Sequence, residues 1–150
     1  MDYDKLERDL SREDLQLASI SKRVKAFVVD ELLILAIVMI AFWDKLAQTS
    51  SVIEFAEAIT SLFMVIILLK IIYQGVFTYL YGATLGKIWQ RIIIINIEDF
   101  HRPNFTICFV RAVGRVFSEW FLYIGFAMAY LNPAQQSLHD KLGKTIVIDV

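Results

Sequence analysis

Residues 58–81 read AITSLFMVIILLKIIYQGVFTYLY, and this stretch is apolar along almost its whole length. A helix needs about 20 such residues to cross roughly 30 Å of hydrocarbon, so the stretch predicts a transmembrane helix over 58–81. Lys70 lies close to its middle. A charge at that depth costs roughly 2.5 to 3.5 kcal/mol on insertion scales, so we expect its ammonium group to face protein or water.

A second apolar run, residues 26–43, has Asp30 and Glu31 near its start, and Arg23 precedes it. The run predicts a membrane helix over 22–46 with Arg23 and Asp30 on one face, because seven residues make about two helical turns. In one interpretation Arg23 simply reaches the headgroups and Asp30 is satisfied by water at the same interface. In the other interpretation these residues belong to an intramembrane site.

Lys70, Gln74 and Thr78 follow one another at a spacing of four, which predicts a polar stripe along one face of the second helix. If the two helices are antiparallel, Lys70 can reach one of the carboxylates of the first helix. Such a pair is either structural or part of a site that binds an ion, a proton or a polar ligand. A lysine buried in lipid without a partner is excluded by its energy.

Composition indicates one small integral membrane domain. Of the 150 residues, 57% are hydrophobic and 13% aromatic, well above the usual share for a soluble domain of this size. The net charge of −1 argues against a nucleic-acid partner. The single cysteine allows no internal disulfide, and the two histidines have no partner at ligand spacing. We therefore expect neither an enzyme nor a protein with a metal or another cofactor.

The distribution of positive charge predicts the orientation in the membrane. The loop 44–57 carries one lysine and three carboxylates, so it should lie outside the cytoplasm. The N-terminus and the part after residue 81 should be cytoplasmic, in an inner membrane crossed several times, because they hold most of the basic residues: Lys5, Arg8, Arg12, Lys22, Arg23 and Lys25, then Lys87, Arg91, Arg102, Arg111 and Arg115. Residues 1–20 form either an amphipathic helix at the cytoplasmic surface or a disordered tail.

Two β-branched runs predict a pair of strands. Residues 91–98 read RIIIINIE and residues 145–150 read TIVIDV. A lone strand would leave its backbone groups unpaired, so we expect these two to pair beside the membrane and to place the C-terminus on the cytoplasmic side.

Residues 105–131 predict a third helical segment. Its second half, 120–131, is apolar but short for a span, and Pro133 follows it. Two alternatives remain: a tilted third span, or a re-entrant helical pair that returns the chain to the cytoplasmic side. Strand pairing favours the second. The expected fold is thus an α-helical membrane protein with a small two-stranded β element.

Several motifs together resemble the RDD family of small, mainly prokaryotic membrane proteins. They are R-x-x-A-x-x-x-D from Arg23 to Asp30, GATLGK at 82–87, and QSLHDKLGKT at 136–145 before the last strand. The resemblance covers about residues 19–150, which is nearly the whole chain. We expect two parts, a tail over 1–20 and an RDD-like membrane domain over 21–150. It implies that the family's arginine and two aspartates correspond to Arg23, Asp30 and Asp140. It also implies a membrane protein suspected of transport, with substrate generally unknown. Gly143 and Lys144 depart from the family's usual alanine-glycine pair.

These observations lead to two functional hypotheses. In the first, the protein helps to transport a small monovalent cation or a proton, through a homo-oligomer or with a partner membrane subunit. Asp30, Glu31 and Lys70, with Gln74 on the same stripe, would then form the intramembrane site, and Arg23 with Asp140 a cytoplasmic gate. In the second, the protein is a non-transporting membrane adaptor whose charges fix the packing of its helices.

Overall fold

The structure is a computed structural model that describes residues 3–120, 129–130 and 132–150. It is mostly helical, with one two-stranded antiparallel sheet. The helices are α1 (Tyr3–Arg12), α2 (Ile20–Ala41), α3 (Trp43–Ala47), α4 (Val52–Ser61), α5 (Phe63–Tyr81), α6 (Leu85–Trp89), α7 (Phe105–Trp120) and α8 (Leu138–Leu142). The strands are β1 (Ile92–Asn96) and β2 (Thr145–Asp149).

The predicted pairing of the two β-branched runs is confirmed. β1 and β2 are antiparallel, with Ile94 opposite Val147 at the centre of the register. Both strands are shorter than the predicted ranges 91–98 and 145–150. Arg91 lies in the predicted range of the first strand but has a positive φ angle of 54°, so it does not belong to the extended chain. Lys144, with a φ angle of 48°, agrees with the predicted start of the second strand at Thr145.

The two faces of this sheet are covered by different helices. Alternate residues of a strand point to opposite faces. Leucines of α1 cover the face that carries Ile95, Ile146 and Ile148, whereas the start of α2 covers the face that carries Ile92, Ile94 and Val147. The C-terminal strand therefore lies beside both N-terminal helices.

Each of the two long predicted helices is interrupted. The predicted helix 22–46 is divided into α2 and α3 at Phe42, whose φ of −118° departs from helical geometry. The predicted helix 58–81 is divided into the end of α4 and α5 at Leu62, with φ −91° and ψ 0°. Neither break contains proline or glycine. α5 ends at Gly82, whose φ of +71° suits a residue without a side chain.

The long helix α5 packs against both α2 and α7. Ile34 and Val38 of α2 contact Leu62 and Tyr73, and α5 also packs against α7. By length and composition, α5 is the one helix in the described ranges that is able to cross a membrane. α2 is longer but includes five charged residues in its first 12 positions: Lys22, Arg23, Lys25, Asp30 and Glu31. α7 is the described part of the predicted segment 105–131; positions 121–128 and 131 lie outside the described residues.

Candidate functional site

Asp30 lies at the centre of a network that joins four elements. The residue is 1% exposed on α2. Its Oδ1 accepts hydrogen bonds from the Tyr73 hydroxyl at 2.8 Å and the Gly86 N–H at 2.9 Å, and its Oδ2 accepts one from the Thr84 hydroxyl at 2.7 Å. Arg115 Nη1 is 3.7 Å from Oδ2. A buried carboxyl group is stable only when donors of this kind replace water, so the contacts of Asp30 tie α2 to α5, α6 and α7.

Gly86 allows α6 to approach α2 closely enough for these bonds. A Cβ atom at this position would overlap the carbonyl oxygen of Ala26 and would lie 2.8 Å from Asp30 Oδ1. The hydroxyl of Tyr73 also accepts a hydrogen bond from the N–H of Leu85 at 3.1 Å, which ties α6 to α5. The GATLGK motif, residues 82–87, therefore allows α6 to pack closely against α2.

Arg115 connects Asp30 to a second group of charges. Its Nη1 donates to the Gln74 side-chain oxygen at 3.0 Å, and its Nη2 lies 3.6 Å from Glu31 Oε1. The guanidinium carbon also lies 4.9 Å from the centre of the Phe27 ring. Gln74, which the polar stripe identifies, thus orients an arginine of the neighbouring helix.

Lys70 stands between two carboxylates. Its ammonium nitrogen is 2.7 Å from Glu31 Oε2 and 2.7 Å from Glu119 Oε2. The contact with Glu31 agrees with the hypothesis that Lys70 reaches a carboxylate of the first helix, and Glu119 of α7 is an addition to it. The three side chains are 29%, 18% and 11% exposed, in the order Glu31, Lys70, Glu119, so this triad is only partly enclosed by the helices.

Asp140 is the second buried aspartate. It closes a capping box at the start of α8, where its Oδ2 accepts hydrogen bonds from the Ser137 N–H and hydroxyl. Arg111 Nη2 is 2.7 Å from Oδ1, and Arg23 Nη1 is 3.5 Å from Oδ2. Burial alone would raise the pKa of Asp140, but the guanidinium groups of Arg111 and Arg23 and the hydrogen bond from the Ser137 hydroxyl hold it well below its usual value. Burial lowers the pKa of His139 to about 3, so its ring is neutral.

Arg23 contacts Asp140 but not Asp30, although both Arg23 and Asp30 lie on α2. No hydrogen bond or ion pair joins Arg23 to Asp30 in the part of the chain that is described. The two residues are about two turns apart on α2, and the guanidinium group of Arg23 instead donates to backbone carbonyls of Ala18, Gln135 and Val147. Arg115 takes the place beside Asp30.

Sequence reasoning did not identify several residues of the network. Arg111, Arg115 and Glu119 are spaced by four residues on one face of an otherwise apolar helix, and that spacing alone could have marked them as a buried charged stripe. Tyr73 and Thr84 are missed because nothing local distinguishes a hydroxyl that binds a carboxylate from one that faces solvent.

Comparison with known protein families identifies the family to which this chain belongs. The RDD family matches residues 17–144, which is most of the sequence. The chain belongs to the RDD family. No curated protein and no solved structure matches it. In this RDD protein, each of the two buried aspartates is paired with an arginine of α7, and Arg23 adds a second arginine at Asp140. Among the described residues, no group of three or more His, Cys, Asp or Glu is arranged to hold a metal ion.

Proposed function

We propose that this RDD protein is an integral protein of a bacterial inner membrane. The distribution of polarity supports this. Large apolar side chains are exposed along α2 and α5, including Ile40 at 78% and Met64 at 73%, whereas Asp30 and Arg115 are buried. Soluble proteins show the opposite arrangement and rarely expose large contiguous apolar patches. The 19 residues of α5 would reach about 28 Å, close to the thickness of the hydrocarbon core.

Within that membrane, the protein would transport a small monovalent cation or a proton. One observation carries this proposal: two carboxylates, Glu31 and Glu119, share the ammonium group of Lys70 at 2.7 Å each. An incoming cation can take the place of the ammonium group between the same oxygens, or protons can be exchanged among the three groups. Ionisable side chains inside a membrane protein commonly mark such a path.

The other carboxylates suit this exchange less well. Asp30 already has three hydrogen bonds and an arginine, and Asp140 has two hydrogen bonds and two arginines. We therefore assign Asp30, Gln74, Arg23 and Asp140 a supporting role, with Arg23 and Asp140 tying the C-terminal part to α2. The helices of one chain are too few to enclose a pathway, so we include a homo-oligomer or a partner membrane subunit in the proposal.

Transport can be tested on the purified protein in liposomes that contain a fluorescent pH or sodium reporter. We expect flux down an imposed gradient. Glu119→Gln should reduce it by about tenfold or more, because a charge-assisted contact is worth roughly 1.5 to 3 kcal/mol. Glu57→Gln, the same change at an exposed position of α4, should leave it intact.

A non-transporting adaptor is the second candidate, and the dense contacts that hold Asp30 and Asp140 between several elements favour it. In that case the charges act only to hold the helices together. Wild-type liposomes would then show no flux of protons or monovalent cations, while Asp140→Ala would still lower the melting temperature. That pair of results would contradict transport.

A further inference from the structure

A cavity of about 70 Å³ lies where α2 begins, enclosed by α6, α7, α8 and the segment 129–130. We call it the basic cavity. The charged groups in its wall are four cations and one carboxylate: Arg23, Lys87, Arg111, Arg115 and Asp140. His139 also lines it and is neutral. The wall therefore carries a surplus of positive charge.

These cations are buried, which makes the surplus costly. Arg111 and Arg115 are each 4% exposed and Lys87 is 9% exposed. Charged groups away from water are destabilising unless a charge of opposite sign and hydrogen bonds compensate them. Arg115 is compensated by carboxylates outside the cavity, on Asp30, Glu31 and Glu119. Among the described residues, Asp140 is then the one carboxylate of the wall that faces Arg23, Lys87 and Arg111.

Two of the cations have donors without acceptors. Arg111 Nη1 is buried and has no hydrogen-bond partner. Lys87 makes no hydrogen bond or ion pair with any residue in the described ranges. An ammonium group has three N–H donors, and lysine is almost never buried unless it is paired. Burial and the nearby Arg115 lower the pKa of Lys87 to about 7.

The nearest carboxylates do not supply the missing acceptors. Asp140 Oδ2 accepts from Ser137 and lies near Arg23, and Asp30 is engaged by α5, α6 and α7. Asp140 Oδ1 has no hydrogen bond but lies 2.7 Å from Arg111 Nη2, so this one oxygen is already occupied by an ion pair. The unmatched donors of Arg111 and Lys87 thus belong to one cavity that is suited to accept an anion.

We propose that the basic cavity binds a phosphate-type oxyanion, either free inorganic phosphate or the phosphate group of an anionic lipid. Its volume is several times the roughly 10–15 Å³ that one water requires, so a small polyatomic ion fits. Guanidinium groups donate two parallel hydrogen bonds to such ions, and a lysine supplies a point charge. Val24 and Tyr130 border the cavity and are 50% and 70% exposed, which leaves an access route on the apolar side of α2.

Lys87→Met is the central variant, because it keeps the length of the side chain and removes a buried charge, so the fold should persist. The matched control is Lys144→Met, the same change at a residue whose side chain is 75% exposed and pairs with Glu98. Inorganic phosphate is titrated into each protein in a neutral detergent by calorimetry, with chloride at equal ionic strength. In parallel, native mass spectrometry records retention of phosphatidylglycerol against phosphatidylcholine.

Wild type and Lys144→Met should bind phosphate, and Lys87→Met should bind it at least about tenfold more weakly. If phosphatidylglycerol is retained instead, and is lost from Lys87→Met, the ligand is the lipid phosphate and the proposal holds. The proposal fails if wild type retains neither, or if Lys87→Met binds both as tightly as wild type. Should Lys87→Met not fold, Lys87→Gln replaces it, and the wild-type titration alone is still able to reject the site.

Discussion

At the scale of single residues, each buried aspartate is held by donors from more than one element. Asp30 takes its donors from α5, α6 and α7, and Asp140 takes its donors from α2, α7 and the start of α8. Removing one member of such a network leaves the others buried without partners, which costs more than the lost bond itself. These two residues therefore couple the positions of most helices.

Gly86→Ala should destabilise the protein, although alanine favours helices by about 1 kcal/mol over glycine. The added Cβ would meet the rigid carbonyl of Ala26 and would push α6 away from Asp30. Such overpacking typically costs about 1–3 kcal/mol, which should appear as a lower melting temperature in detergent. Gly114→Ala is the milder comparison, because its new methyl group would lie 3.1 Å from the movable end of the Leu142 side chain and 3.3 Å from the Cβ of His139, with no contact below 3.0 Å. Equal melting temperatures for Gly86→Ala and wild type would contradict this account.

Lys87→Met should stabilise the protein most at acidic and neutral pH. In the unfolded chain a lysine has a pKa of about 10.4, whereas burial lowers the pKa of Lys87 to about 7 in the folded protein. Between pH 7 and pH 10 the unfolded state binds more protons than the folded state, so the free energy of unfolding rises with pH. Below about pH 7 Lys87 is charged in both states, so the full cost of burying its charge is present. The gain from Lys87→Met, on the order of a few kcal/mol, should therefore shrink from pH 6 to pH 10.

Melting curves of wild type and Lys87→Met in phosphate-free buffers at pH 6, 8 and 10 provide the measurement. Lys144→Met should follow wild type throughout. A difference between wild type and Lys87→Met that is the same at all three pH values would show that the charge of Lys87 is not the cause.

At the scale of elements, the parts that were predictable are those whose signal is local. The isoleucine run and TIVIDV predicted the sheet, because β-branched residues in short runs need a partner strand. The register was not predictable, since four consecutive isoleucines give no alternation to distinguish the two faces. The start of α4 also has a local signal, because the spacing S-x-x-E indicates a helix N-terminus, and the Ser51 side chain accepts a hydrogen bond from the N–H of Glu54.

The breaks at Phe42 and Leu62 had no such signal, because both lie in apolar sequence and depend on packing between helices.

The contacts of the candidate site likewise differ in how far the sequence predicts them. The pairing of Arg23 with Asp140 was anticipated from the family resemblance. The partners of Asp30 come from residues more than forty positions away along the chain, and no local pattern reveals them.

At the scale of the whole molecule, the sheet determines which ends lie together. β2 pairs with β1 and is covered by α1, so residues near both termini must occupy the same side of any membrane that α5 crosses. The distribution of basic residues predicts that this side is cytoplasmic and that the segment between α3 and α4 is outside.

Cysteine labelling in intact cells tests this orientation. Cys108 is buried and is first replaced by serine; single cysteines are then introduced as Arg12→Cys, Gln48→Cys and Val150→Cys, all at exposed positions. A membrane-impermeant maleimide should label the variant at position 48 in spheroplasts, and those at positions 12 and 150 only after the cells are opened. Labelling of positions 12 and 150 on opposite sides is incompatible with the packing of α1 on β2, because these two elements cannot contact each other across a bilayer. Labelling of both from outside would keep the fold and reverse the orientation, which would move Arg23, Asp140 and the basic cavity to the external surface.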